Sequence, residues 1–168
     1  HQASGVGLTS VTGSGTATVV LDDLNHCDAL FLIGCNPASN HPRLLKTIIE
    51  IRRRGGKVIV INPLLEKGLC KYRVPSDWRS LLFGSKISDM YVQPNIGGDV
   101  YLLLGIIKWL SENGGIDEAF TQIHVDDFEE VLAQAKENSW DTIVHQSGVD
   151  KETIVNVASM YKNSSKAI

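Results

Sequence analysis

The sequence predicts an α/β fold of three layers, αβα, built on a Rossmann-like parallel sheet with additional C-terminal helices. Two continuous apolar runs of strand length, "ALFLIG" at 29–34 and "KVIVI" at 57–61, lack the polar alternation of half-exposed strands, as expected when both faces of a sheet are covered. Between them Leu44, Leu45, Ile48, Ile49 and Ile51 form a wide stripe at helical spacing. Strand, helix and strand in such close succession make one right-handed βαβ unit.

Along the chain, residues 1–16, "HQASGVGLTSVTGSGT", are rich in Gly, Ser and Thr without a sustained period and read as loop. Residues 17–26 stand between an extended segment and a short helical turn. After the first strand, Asn40 is placed to cap the helix and Pro42 falls in its first turn, and Gly55 and Gly56 stop it. Pro63 closes the second strand. Residues 64–88 form a long irregular excursion, of the kind that is functional or touches something outside the domain. "DMYVQ" at 89–93 supplies a third strand, and "PNIGGD" leads to a helix over 99–112 that is apolar nearly all round and should be buried on more than one side. Three short amphipathic helices follow at about 116–122, 126–137 and 150–163, the last capped by Asp150, and "SKAI" reads as the start of a further strand.

The 168 residues, 43% hydrophobic and 21% charged, suffice for one core and fit a single domain over 1–168. A net charge of -3 argues against nucleic acid or an anionic membrane as partner, since both need a dense cationic face. The one basic cluster, Arg52, Arg53 and Arg54, lies at a helix end, where it complements the dipole more readily than it binds phosphate. No apolar stretch approaches the roughly 18–20 residues of a membrane span. Cys27, Cys35 and Cys70 match no metal-binding spacing and read as unpaired structural thiols of a reducing cytoplasm. The absence of an initiator methionine and the final "SKAI" predict a piece excised from a longer protein.

The turns after the strands carry the chemistry. An NAD or flavin domain would show G-x-G-x-x-G and a strand-end acid; here the turn reads Gly34-Cys35-Asn36-Pro37 and Asn62 stands in the place of the acid. "GVG" at 5–7 and "GSG" at 13–15 follow no strand. The polar residues Asn36, Ser39, Asn40 and His41, then Asn62, then Gln93, Gly97, Gly98 and Asp99, all fall on the carboxyl edge of the sheet, where open α/β folds bind ligands. Asp99 serves either as a helix cap or as an acceptor for the paired N–H groups of a guanine, and Asn40 and His41 either as caps or as ligand contacts. The five histidines are scattered, and Ser10, Asp22 and Asp23 form no triad, so the chain reads as a cofactor-holding domain without its own complete reaction centre.

Together, "LIGCNPASNHP", "RRRGGKVIVINP", "YVQPNIGGD", "IDEAFTQIHVDDFEEV" and "SGVDKETIVNVASMY" resemble the molybdopterin-dependent oxidoreductases, most of all the formate dehydrogenase alpha-subunit-like group within the dimethyl sulfoxide reductase superfamily. The resemblance covers nearly the whole chain. It implies a molybdopterin guanine dinucleotide cofactor carrying molybdenum or tungsten, used as a bis-cofactor, with this domain cradling one guanine nucleotide arm. Carried over by position, Gly34, Asn36, Ser39 and Asn40 would contact the nucleotide, Asn62 and Pro63 its ribose side, and Gly98 and Asp99 its guanine side; Gln93, by its place on the same edge, joins this cofactor-binding set. His1 matches the histidine beside the metal ligand, which would precede residue 1, and any iron-sulfur cluster would belong to the remaining domains of the parent oxidoreductase. Family members commonly carry Asp where this chain has Asn62, making that ribose contact an amide. The implied partners are those remaining domains, with self-association of the piece through its apolar helix and open sheet edge. The rival readings are a NAD- or FAD-type Rossmann domain, the central domain of a thiamine-diphosphate enzyme, and a non-catalytic regulatory α/β module.

Overall fold

The computed structural model describes the backbone of residues 2–168 and the side chains from residue 4 on. The first half runs through α1 (Gln2–Thr12), a 3-10 turn (Leu21–Asn25), β1 (Ala29–Ile33), α2 (Pro37–Asn40), α3 (Leu44–Arg53) and β2 (Lys57–Ile61). An excursion of α4 (Lys67–Cys70), β3 (Lys71–Tyr72), α5 (Trp78–Phe83) and β4 (Ser85–Lys86) leads to β5 (Met90–Val92). The helices α6 (Asp99–Glu112), α7 (Glu118–His124), α8 (Phe128–Glu137), α9 (Trp140–Ser147) and α10 (Lys151–Lys162) complete the chain.

The main sheet has the order β1-β2-β5, all parallel, with Ala29 opposite Lys57 and Ile61 opposite both Ile33 and Val92. Successive side chains point to opposite faces. Leu30, Leu32, Val58 and Val60 therefore pack with Leu45, Ile48, Ile49 and Ile51 of α3, whereas Phe31, Ile59, Ile61 and Val92 pack with Leu102, Ile106, Ile143, Ile154 and Val157. These two cores are why the strand sequences are continuously apolar. The "SKAI" segment does begin a strand: Ala167 bridges Ala29 in parallel, the Phe31 amide donates to Ile168 O at 2.7 Å, and the Ile168 amide to Ala29 O at 3.0 Å. The order thus becomes C-terminal segment, β1, β2, β5, with the chain reversing direction of travel beside β1.

The structure corrects the sequence reading in four places. Within the stretch expected to be loop, Gln2–Thr12 forms α1. No residue from Ser4 to Thr12 is buried, so no apolar stripe announces the helix; local bonds such as Thr9 Oγ1 to Gly5 O at 2.8 Å accompany it. Asn40 does not cap α3 but ends the one-turn helix α2, started by Pro37, because Pro37 O accepts the His41 amide at 2.9 Å. A fourth late helix, α9, lies between those expected; the Ser139 side chain caps it by accepting from the Thr142 amide at 3.1 Å, and Gly148 ends it at φ 71°. The 64–88 excursion is ordered by a two-residue antiparallel ladder between β3 and β4 and by buried Ser80, whose Oγ accepts from the Val74 amide at 3.0 Å.

The helix expected over 99–112 is α6, packed against α8, α9 and α10. Gly105 lets it approach, since a Cβ there would stand 2.9 Å from Ile143 and 3.1 Å from Ile154 side-chain carbons. Buried Lys108 extends to donate to Lys136 O at 3.0 Å, closing the C-terminus of α8. Among the described residues no helix is long and apolar enough to cross a membrane.

Candidate functional site

Two turns and one helix start line the carboxyl edge of the sheet. Gly34 ends β1 at φ 63°, a conformation that costs a residue with a side chain roughly 1–2 kcal/mol, and its amide donates to Ile61 O at 2.9 Å. The chain then turns so that the amides of Cys35 and Asn36 have no acceptor among the described residues, while those of Ser39 and Asn40 both donate to Asn36 O, at 3.1 and 3.0 Å. The Ser39, Asn40 and His41 side chains are exposed. Asn36 is distinct: its Oδ1 is buried without a hydrogen-bond partner among the described residues. Burying such an atom costs about 1–3 kcal/mol, which a ligand donor at this point would recover.

After β2, Asn62 is 9% exposed and its Oδ1 accepts from the Leu64 amide at 3.0 Å, so one end of this amide holds its own turn. Pro63 O accepts from Gln93 Nε2 at 3.1 Å, tying the second turn to the third. Tyr91, which sequence reasoning passed over inside the third strand, continues that tie: its hydroxyl donates to Leu64 O at 2.6 Å and accepts from the Glu66 amide at 3.0 Å. Burial pushes its phenol pKa up. A tyrosine next to an irregular segment was the available signal.

After β5, the neighbours Gly97 and Gly98 have different duties. A Cβ on Gly97 would meet open space, although φ is 81°, whereas one on Gly98 would lie 2.8–2.9 Å from the Gln146 and Ser147 backbone. Gly98 is a packing glycine, and its amide is already bonded to Asn95 O at 2.8 Å. Asp99 is the first residue of α6 and Gly98 is its N-cap, which removes the capping role for Asp99; its carboxylate makes no hydrogen bond among the described residues and is half-buried. The amides of Asp99, Val100 and Tyr101 also lack acceptors among the described residues. Their dipole favours the adjacent carboxylate, so this corner suits a ligand presenting N–H donors, while the free Cys35 and Asn36 amides suit an anion or a carbonyl.

The structure brings the residues expected from the sequence to one edge of the sheet and sorts them into engaged (Asn62, Pro63, Gln93, Gly98) and free (Asn36, Ser39, Asn40, Asp99). Cys35 is exposed on this edge rather than packed, while Cys27 is buried; all three cysteines are free. His1 lies outside the described residues. No group of three or more His, Cys, Asp or Glu side chains suited to a metal ion occurs among those described. Arg52, Arg53 and Arg54 are at the opposite edge, held in structural contacts.

No family model matches the chain. Its whole length is 33% identical to Protein YdeP of Escherichia coli K12 and 30% identical to an uncharacterized oxidoreductase of Mycobacterium tuberculosis. It is 28% identical, over 99% of its length, to the F420-dependent formate dehydrogenase subunit alpha of Methanocaldococcus jannaschii. The chain is a relative of formate dehydrogenase alpha subunits. It spans 24%, 22% and 22% of the lengths of these three proteins. Acetylene hydratase from Pelobacter acetylenicus has the same fold over 99% of this chain and 20% of its own, with a TM-score of 0.73 at 22% identity. The resemblance drawn from the turns and helices is thus borne out at the level of oxidoreductase relatives.

Proposed function

We propose that this chain is the part of a molybdenum- or tungsten-dependent oxidoreductase, resembling formate dehydrogenase, that holds one guanine nucleotide arm of a molybdopterin guanine dinucleotide. The carrying observation is the buried, partnerless Asn36 Oδ1 beside free backbone amides, on the same sheet edge as the free Asp99 carboxylate. These residues fit the group: the Cys35 and Asn36 amides meet pyrophosphate oxygen, Asn36 Oδ1 accepts from a hydroxyl or amine, Ser39 and Asn40 offer exposed side chains, and Asp99 accepts the paired N–H groups of guanine. Asn62 has its Nδ2 left for a ribose oxygen. Pro63, Gln93 and Gly98 support this surface through the bonds they make within the protein.

When bound, the metal-pterin group supplies the redox chemistry, and this domain supplies binding and orientation. The parent enzyme's other domains would carry the metal ligand, the rest of the pocket and any iron-sulfur cluster. Free thiols suit a reducing compartment, which makes the cytoplasm the proposed location.

Calorimetry with GDP and NAD tests the proposal. GDP binds more tightly than NAD, and both bind weakly, because part of the pocket comes from elsewhere while the association entropy is opposed in full. Equal affinity, or tighter NAD binding, overturns it in favour of a dinucleotide domain.

A further inference from the structure

A groove of about 650 Å³ runs along the α6 face of the sheet, its lining almost wholly apolar and including Phe31, Ile33, Leu103, Ile107, Phe120 and Ile168. Ile33 is 48%, Leu103 43% and Phe120 55% exposed. That much contiguous apolar surface marks an interaction site. Its place in the topology identifies the occupant. The β1–α3–β2 crossover covers one face of the sheet; the C-terminal segment is hydrogen-bonded in parallel to the other edge of β1. A chain that continues outward from that position by a right-handed crossover must lay its next helix on the opposite face, against α6. Ala167 and Ile168 themselves form part of the groove, so a following segment begins at its mouth.

We propose that the groove seats an amphipathic helix contributed by the polypeptide after Ile168, in a protein longer than these residues, as its relatives are. The helix would start at the carboxyl edge, between β1 and the C-terminal strand. At that reversal of strand order the crevice of a doubly wound sheet lies, so the same segment would complete the edge that holds Gly34 and Asn36. The seating of the helix rests on topology and the apolar groove alone and stands independently of which nucleotide binds.

Thiol labelling of Leu103→Cys, read peptide by peptide by mass spectrometry, tests it in the 168-residue chain and in the complete gene product, with Lys46→Cys on the exposed face of α3 as control. Leu103→Cys labels readily in the 168-residue chain and at least about tenfold more slowly in the complete product, whereas Lys46→Cys labels alike in both. Equal labelling at residue 103, or a gene that encodes nothing after Ile168, overturns the proposal. Protection already present in the 168-residue chain, with light scattering reporting twice its mass, assigns the groove to a second copy and overturns it as well.

Discussion

The two edges of the sheet are built on opposite principles. At the amino edge polar side chains are matched to partners: Arg52 grips Asp89 through two nitrogens, at 3.0 and 2.8 Å, while Asp89 also accepts from the Val58 amide at 2.9 Å. Arg53 pairs with Asp77 at 2.6 Å, and Arg54 donates to Leu24 O at 3.2 Å. Asp28 accepts from the Ser165 hydroxyl and amide at 2.7 and 2.9 Å and from the Lys166 amide at 2.9 Å. At the carboxyl edge, Asn36 Oδ1, the Asp99 carboxylate and the backbone amides of Cys35, Asn36, Asp99, Val100 and Tyr101 have no partner among the described residues. Matched groups hold the fold, and groups left free are where a ligand can add binding energy without displacing internal bonds.

Glycine substitutions at the third turn should divide the carboxyl edge most sharply. Gly98→Ala drives a methyl into the Gln146–Ser147 backbone and is expected to cost about 1–3 kcal/mol, whereas Gly97→Ala meets only the strain of its positive φ, about 1–2 kcal/mol. Urea unfolding that ranks Gly97→Ala as the worse of the two would move Gly98 out of its packing role. At the amino edge, Arg52→Ala leaves Asp89 with one donor fewer and should cost about 1–2 kcal/mol, the lower part of the range for charged hydrogen bonds because both side chains keep some solvent. A loss below about 0.3 kcal/mol would mean that this edge is not held by its ion pairs.

Acid should open the amino edge. Hydrogen bonds from the Ser165 side chain, then the Lys166 and Ser165 amides, lower the Asp28 pKa from 3.8 to about 2. For Asp89 burial acts upward, yet the Arg52 and Val58 bonds outweigh it and the net shift is downward. A carboxylate whose folded pKa is depressed stabilises the fold above its unfolded pKa, and that contribution is lost as pH falls through the folded value. The clasp on the C-terminal segment is therefore intact at neutral pH and fails between about pH 4 and pH 2. Asp28→Asn should release it at every pH, seen as faster amide exchange at Phe31 and Ile168; unchanged exchange there would show that the strand pairing needs no clasp.

The smallest effects on stability belong to the free groups, where effects on binding should be largest. Asp99→Asn should lower the melting midpoint by no more than about 3 °C, the loss of one carboxylate at a helix start whose cap is Gly98, and weaken GDP about tenfold or more, as expected for a lost charge-assisted pair. Full GDP affinity in that variant would remove Asp99 from the site. Asn36→Ala should keep stability or raise it by up to about 1 kcal/mol, since it deletes a buried unsatisfied atom. A clear destabilisation would reveal a structural role for that amide.

Local chemistry made much of this fold readable in advance. Apolar runs bounded by Gly and Pro located β1 and β2, the helical stripe located α3, and α6 spans the residues expected, because these elements bury the side chains that create the pattern. Where burial is absent the signal is absent too: α1 buries none of its residues from Ser4 on, and its glycines and serines read as loop. The short helix α9 depends on Ile143 reaching the surface of α6, a contact too distant in sequence to show as periodicity.

Residue identities and spacing by themselves determined the parallel α/β class and the edge on which polar turn residues gather. Only the tertiary structure decided which of those polar groups are spent. Asn62, Gln93 and Asn36 are chemically alike in sequence, yet the first two bond to Leu64 and Pro63 while the third keeps a buried oxygen without a donor. Hydrogen-bond satisfaction depends on where the backbone passes in space, and that path is set by packing across residues far apart in the chain.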